Sequence, residues 1–330
     1  MVIFSQKEGY HAAHADYLRK GIYEQASALE KEPPEVVLSH ELDIKGSWTI
    51  TPLSIYLSHR FPNAKWFFFC LENTVIRLEK LLNLLEKFSS SQSSSISSVK
   101  TYFAVKTCAK YHADRIPIIK NSWAKHAINL GYFSDVADRN LREAYVVPNT
   151  TEGHCAKTYG ILQEADKILT KNGFNWLVIS DDDTIFSVAR LLRLLTCYNP
   201  KHLVAIGERY GFRMWDNQFG YQYLTGGAGM VLSAPLVHEM VMSDACNCPS
   251  ATTPDDMYLF GVCLSRLGVE PVHSPMFHQA RPADYATAYL ASQEPISFHK
   301  FWMLEPMDVY NEWFAEADNA LPKPPKHTEL

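Results

Sequence analysis

Three carboxylates in a row, Asp181-Asp182-Asp183, follow the apolar run 176–180. A short apolar run bounded by polar residues predicts a buried strand, and a helix is expected over 185–195. The triplet then falls where a strand ends and a helix begins. Open α/β sheets bind ligands at the carboxyl ends of their strands. Three adjacent carboxylates repel one another, and a divalent cation relieves that repulsion. Mg²⁺ or Mn²⁺ suits oxygen donors and bridges to phosphate oxygens. The competing reading is a solvated helix start, where Asp caps backbone N–H groups.

Further candidates lie downstream. Asp255 and Asp256, after Pro254, open a helix expected over 254–267. A fixed carboxylate near a metal-bound sugar is a competent general base toward a hydroxyl, whereas capping alone also explains acidic residues in a first turn. His278, in HSPMFHQARP, offers an imidazole that can join carboxylates around Mn²⁺. The stretch Thr225-Gly226-Gly227-Ala228-Gly229-Met230 matches neither a P-loop nor a dinucleotide fingerprint. Its glycines, Gly227 among them, would let backbone approach a sugar closely, or simply form a tight turn.

Alternating strand and helix patterns must position these groups. Strands are expected at 2–5, 35–39, 66–70, 102–105, 143–147, 176–180 and 269–273. Helices are expected at 11–29, 52–59, 75–88, 116–128, 154–169, 185–195 and 254–267. Such alternation implies an α/β fold on a largely parallel sheet. The run SSSQSSSISS at 89–98 reads as a linker. With residues 99–100 it separates an N-terminal unit, 1–88, from a larger unit, 101–320, and a tail, 321–330.

The two units echo each other. WFFFCLENTVIRLEKLLNLL (66–85) matches WLVISDDDTIFSVARLLRLL (176–195) without a gap. In the first copy Leu71-Glu72-Asn73 replaces the acidic triplet, so that copy is expected to be a partial, degenerate, non-catalytic repeat.

The remaining features bound the class. With 330 residues and 47% hydrophobic content the chain can bury a substantial core. A net charge of −5 leaves no basic footprint for nucleic acid. No apolar run approaches the roughly 18 residues of a membrane span, and no signal peptide opens the chain. The seven cysteines fit disulfides in an oxidising compartment or buried thiols; Cys108–Cys155, and Cys197 with Cys246 or Cys248, are the pairings guessed. Asn149-Thr150-Thr151 is an N-glycosylation acceptor, and the terminal His327-Thr328-Glu329-Leu330 is similar to a KDEL-type retrieval signal. Both point to the endoplasmic reticulum lumen, and the absent signal peptide suggests an upstream segment outside this sequence.

Taken together, FAVKTCAKYHADRIPIIKNSW, NTTEGHCAKT, WLVISDDDT, GERYG, YLTGGAGMVLS, PDDM, HSPMFHQARPADY and PISFHKFW resemble the fringe-type β-1,3-glycosyltransferase family. The nearest resemblance is to members that add glucose to O-linked fucose on thrombospondin type 1 repeats. It implies a GT-A (Rossmann-like) fold and inverting transfer from UDP-glucose with Mn²⁺ or Mg²⁺. It implies Asp183, with Asp181 and His278, at the metal, and Asp181 and Asp182 around the metal or the ribose. Asp256 becomes the expected base and Asp255 the alternative. Thr107, Arg115, Asp135 and Lys157 fall where such enzymes line the UDP site. The implied partners are O-fucosylated thrombospondin repeats and a KDEL-receptor-type retrieval system. Fringe-like transfer of N-acetylglucosamine, core-1-type galactosyl transfer, and a lectin-like folding factor remain the alternatives.

Overall fold

The computed structural model describes residues 1–44, 47, 50–91, 99–141, 144–215, 220–291 and 293–321. The terminal HTEL and most of the Ser-rich run lie outside them. The chain divides into two compact units, Met1–Ser93 and Ser94–Leu330. None of the described helices is long and apolar enough to cross a membrane.

The first unit contains β1 (Val2–Phe4), α1 (Tyr10–Ala28), β2 (Val37–Leu38), α2 (Ile50–Arg60), β3 (Phe69–Leu71) and α3 (Leu78–Ser91). Its three strands are parallel in the order β2-β1-β3. Successive side chains of a strand face opposite ways. Ile3 therefore packs with Ile22, Leu38 and Leu78, while Val2 packs with Val37, Leu53 and Leu57. Helix α3 runs on through Ser91, past the expected start of the linker.

The second unit continues with β4 (Thr101–Lys106), α4 (Ile116–Asn121), β5 (Leu130–Ser134), β6 (Ala144–Val146), α5 (Cys155–Asn172), β7 (Trp176–Asp181), β8 (Thr184–Phe186) and α6 (Val188–Leu195). Then come β9 (Ala205–Gly207), β10 (Arg209–Phe212), β11 (Tyr221–Leu224), β12 (Met230–Ser233), α7 (Ala234–Met242), α8 (Asp255–Met257), α9 (Leu264–Arg266), β13 (Val272–His273), α10 (Thr287–Leu290), β14 (Ser297–His299), α11 (Pro306–Trp313) and α12 (Ala315–Asn319). A seven-stranded sheet runs β13-β9-β12-β7-β4-β5-β6. It is parallel except for β12, which is antiparallel to both β7 and β9. One core lies on each face: Phe103, Trp123 and Val178 on one, Ala104, Leu162 and Ile179 on the other. The α/β architecture and the mostly parallel central sheet are those expected of a GT-A domain.

The repeated segments match in local structure. Strands β3 and β7 end at the aligned Leu71 and Asp181, and helices α3 and α6 begin at the aligned Leu78 and Val188. Between the aligned ends the second copy inserts β8, which the expected helix over 185–195 did not foresee. Ile185 and Phe186 are apolar in either conformation, but pairing with β14 selects the strand. The helix expected over 116–128 is also divided. Ser122 Oγ bonds back to Ile118 O at 2.8 Å, and the buried Trp123 turns inward to donate Nε1–H to Thr184 O at 3.1 Å. Tertiary contact thus overrides the local helical pattern.

Candidate active site

Parallel pairing sets Lys106, the last residue of β4, beside Asp181, the last of β7. The charged ends of two apolar strands therefore meet at the carboxyl edge of the sheet. Lys106 Nζ lies 3.0 Å from Asp181 Oδ1 and 2.9 Å from Asp255 Oδ2. Burial works against this ammonium, but the two carboxylates overcome it and hold it protonated.

The three aspartates do different things. Asp182 is buried, accepting from Thr107 Oγ1 at 2.7 Å and Arg115 Nη1 at 2.6 Å. Burial still pushes its carboxyl above the usual range. Asp181 and Asp183 converge with His299, and one donor atom from each lies within 4.8 Å of the others. His299 Nε2 is 3.1 Å from Asp183 Oδ1 and 3.9 Å from Asp181 Oδ2. Burial disfavours charge on both Asp183 and His299, but their mutual contact outweighs it, lowering the carboxyl and raising the imidazole.

His299 reaches this position through the β8–β14 pairing, which sets it opposite Thr184. Its Nδ1–H donates to Gln279 O at 3.0 Å, leaving Nε2 as the donor atom toward the carboxylates. A metal-binding imidazole is commonly oriented by such a carbonyl. Gly227 makes room for the ring, because a Cβ there would strike it. The glycine thus serves His299 without any need to invoke a sugar. Two carboxylates and an imidazole are a donor set that could hold a divalent cation.

His278 is placed differently from its expected role. It is 1% exposed and stacks on Phe298 with centroids 5.0 Å apart, with Tyr285 at 4.6 Å. Burial lowers its pKa to about 4. It is absent from the Asp181–Asp183 cluster, and His299 takes the position expected of it. The sequence reading singled out His278 because it follows a predicted strand and did not weigh His299, which ends the apolar segment Ile296-Ser297-Phe298.

A cavity of about 220 Å³ opens over the triplet, lined by Lys106, Thr107, Tyr111, Arg115, His154, Lys157 and Asp181–Asp183 among others. The Arg115 guanidinium also lies 3.7 Å above the Tyr111 ring. Lys157 is 4% exposed, and among the described residues no carboxylate comes within 4.0 Å of its ammonium. Burial lowers its pKa. An anionic ligand would supply the missing charge. Asp135 stands outside this wall, accepting from Ala109 N–H at 2.8 Å and Ser134 Oγ at 3.1 Å. Lys106, Tyr111, His154 and His299 are lining residues that the sequence reading did not single out. A lysine closing an otherwise apolar strand was the available signal for Lys106.

The second acidic pair is held by covalent and polar links. Cys155–Cys248 joins the start of α5 to the loop before Pro254, and Cys246–Cys263 joins that loop to the turn after α8. The guessed pairings fail: Cys108 and Cys197 are free, and the loop carrying Cys246 and Cys248 folds against Cys263 and Cys155. His154 and Pro254 form an isolated β-bridge, and Asp255 N–H donates to Gly153 O at 2.7 Å. Asp255 is bound to Lys106 and also accepts from the Thr158 hydroxyl. Among the described residues no cation lies within 4.0 Å of Asp256. Burial, then the charge of Asp255, raises its pKa. After α8 the chain makes a π-helical turn over Tyr258–Cys263, a distortion frequent at functional sites.

A family model described as Fringe-like matches residues 96–320. The chain belongs to the Fringe-like family. It is 34% identical to the β-1,3-glucosyltransferases of Mus musculus and Homo sapiens, over 96% of this chain and 86% and 85% of theirs. The β-1,3-N-acetylglucosaminyltransferase radical fringe of Gallus gallus is 27% identical over 54% of each chain. The Fringe-like segment contains both acidic motifs, His299 and all four disulfide cysteines, and its relatives make the chain a glycosyltransferase of the hexosyl-transferring class.

Proposed function

We propose that this chain is an inverting, metal-dependent β-1,3-glucosyltransferase using UDP-glucose, with O-linked fucose on thrombospondin type 1 repeats as acceptor. The observation that carries the donor assignment is the 34% identity to two β-1,3-glucosyltransferases across 96% of the chain. The fringe relatives match little more than half of it.

Asp181, Asp183 and His299 would hold Mn²⁺ or Mg²⁺. Such an ion, when bound, supplies Lewis acidity at a diphosphate leaving group. Lys157 contributes a fixed positive charge to the cavity, and Arg115 holds Asp182 and Asp183 in place. Asp256 is the group suited to take the proton from an acceptor hydroxyl, since its raised pKa makes it a stronger base than an ordinary aspartate. Asp255 positions it, engaged with Lys106 and Thr158. Inversion requires one base and one leaving-group stabiliser, which Asp256 and a bound ion would supply.

Two disulfides and an exposed sequon at Asn149 support residence in the oxidising endoplasmic reticulum lumen. The N-terminal unit, with Leu71-Glu72-Asn73 in place of the triplet, is read as non-catalytic.

The deciding experiment is a panel of UDP-sugars with Mn²⁺ against O-fucosylated thrombospondin and EGF repeats, with product masses measured. A hexose added to thrombospondin repeats from UDP-glucose alone is expected. N-acetylhexosamine added to EGF repeats would establish the fringe activity instead. No turnover with any donor would favour a lectin-like role.

A further inference from the structure

The first unit carries a cavity of its own, lined by none of the candidate active-site residues. Strand β1 is central in the order β2-β1-β3, so the chain leaves it toward one side and later returns on the other. The crevice at the carboxyl ends of strands around such a switch point is where open α/β sheets hold ligands. A cavity of about 370 Å³ lies between α1 and the loop that leaves the carboxyl end of β3. Its walls include His14, Tyr17, Gly21, Gln25, Glu72 and Asn73.

These walls are preformed. Gln25 holds the loop after β3 by donating to Ile76 O at 3.2 Å and accepting from Leu78 N–H at 2.9 Å. Glu72, 12% exposed, is fixed by His11 at 2.5 Å. On α1, Tyr10, His14, Tyr17 and Gly21 recur at helical spacing along one stripe. Tyr17 is 79% exposed, and the Tyr10 ring lies 4.0 Å from that of His14. Gly21 sits inside this helix, where glycine costs about 1 kcal/mol relative to alanine. A Cβ at Gly21 would meet nothing within 4 Å, so packing does not demand the glycine. It leaves the cavity floor clear.

We propose that this cavity is a second carbohydrate site, taking a neutral sugar. Aromatic rings present electron-rich faces to the polarised C–H groups of a sugar ring. Glu72, Asn73 and Gln25 supply the polar groups that hydroxyls need. The lining acids Glu24 and Glu72 outnumber the single lysine, Lys20, so a diphosphate is disfavoured. The cavity falls within the range of about 300–1,000 Å³ common for small-molecule sites.

Saturation-transfer NMR on the full chain carrying Asp183→Asn tests this site while the catalytic one is disabled. The probes are methyl α-fucoside, methyl β-glucoside, a fucosylated peptide and UDP. At least one glycoside is expected to bind, free or on the peptide, and UDP should not displace it. Adding Gly21→Leu or Tyr17→Ala should weaken that binding at least about tenfold. The Tyr17 side chain is mostly exposed, so its removal tests binding even where a filled Gly21 impairs folding. Glycoside binding that is absent, insensitive to Tyr17→Ala, or displaced by UDP would overturn the proposal.

Discussion

Asp255 and Lys106 form an ion pair of 2.9 Å that also reaches Asp181, so one partly buried ammonium links the two acidic motifs. Removing one member of an isolated buried pair costs about 3–5 kcal/mol; here Asp181 still faces Lys106, so the loss of the Asp255 charge costs only part of that. Asp255→Asn is therefore expected to lower the melting temperature and the activity together. Asp256, which forms no ion pair among the described residues, should behave differently. Asp256→Asn should melt like the parent and lose about 10²–10⁴-fold in kcat, the range of a general base. Thermal melts paired with initial rates separate the two. Near-full activity of Asp256→Asn would remove it from the proposed role.

The same carboxyl predicts the acid limb of the rate profile. Burial and Asp255 raise the pKa of Asp256, and only its deprotonated form accepts a proton. The rate should therefore fall, as pH decreases, at a value above the ordinary aspartate pKa of about 3.9. In Asp256→Asn the residual rate should lose that limb. A limb that persists there belongs to another group.

The metal assignment separates two histidines. His299→Ala should weaken Mn²⁺ activation by about 10–100-fold, while Asp183→Asn should abolish most turnover. Gly227→Ala should mimic His299→Ala in part, by pushing the ring aside. His278→Phe should leave the Mn²⁺ dependence of turnover unchanged. Activity against Mn²⁺ concentration for the four variants checks this, and loss of activation in His278→Phe would restore that residue as a ligand.

The alternation of apolar runs and amphipathic segments made the layered α/β architecture legible, because strand and helix periods differ and Trp176–Asp181 is too short and apolar to be an exposed helix. The acidic triplet and the DDM helix start were visible for the same local reason. Long-range pairing was not. Strand β8 forms because β14 lies beside it, and His299 becomes a candidate ligand only through that pairing. Both disulfides, likewise, depend on how the loop before Pro254 folds back on α5 and on the turn after α8. Residues distant in sequence carry no local signal of their contact.

Those disulfides should stabilise the acidic loop. Cys155–Cys248 spans a separation of 93 residues. The loop-entropy relation gives about 4–5 kcal/mol for a closed loop of that order. Cys248→Ser should lower the denaturation midpoint and reduce turnover, because Cys248 lies shortly before Asp255 and Asp256. Urea melts with and without reductant provide the check. Equal midpoints would mean that the bond does not constrain the unfolded chain.

His278 gives a stability signature with a defined sign. Burial depresses its pKa to about 4 in the folded protein, against about 6.5 in an unfolded chain. Between those values the unfolded chain takes up a proton that the folded one does not. Stability that is fully present above pH 6.5 is therefore lost progressively as pH falls toward 4, by up to about 3 kcal/mol. Below pH 4 both states are protonated and the loss stops growing. Other groups also titrate in this window, so the informative quantity is the difference between parent and His278→Phe. Phenylalanine keeps the stack on Phe298 and Tyr285 and removes the proton site. Urea midpoints at pH 7 and pH 4.5 should show the parent losing more stability than the variant. The same loss in both would mean that the imidazole does not titrate between these values.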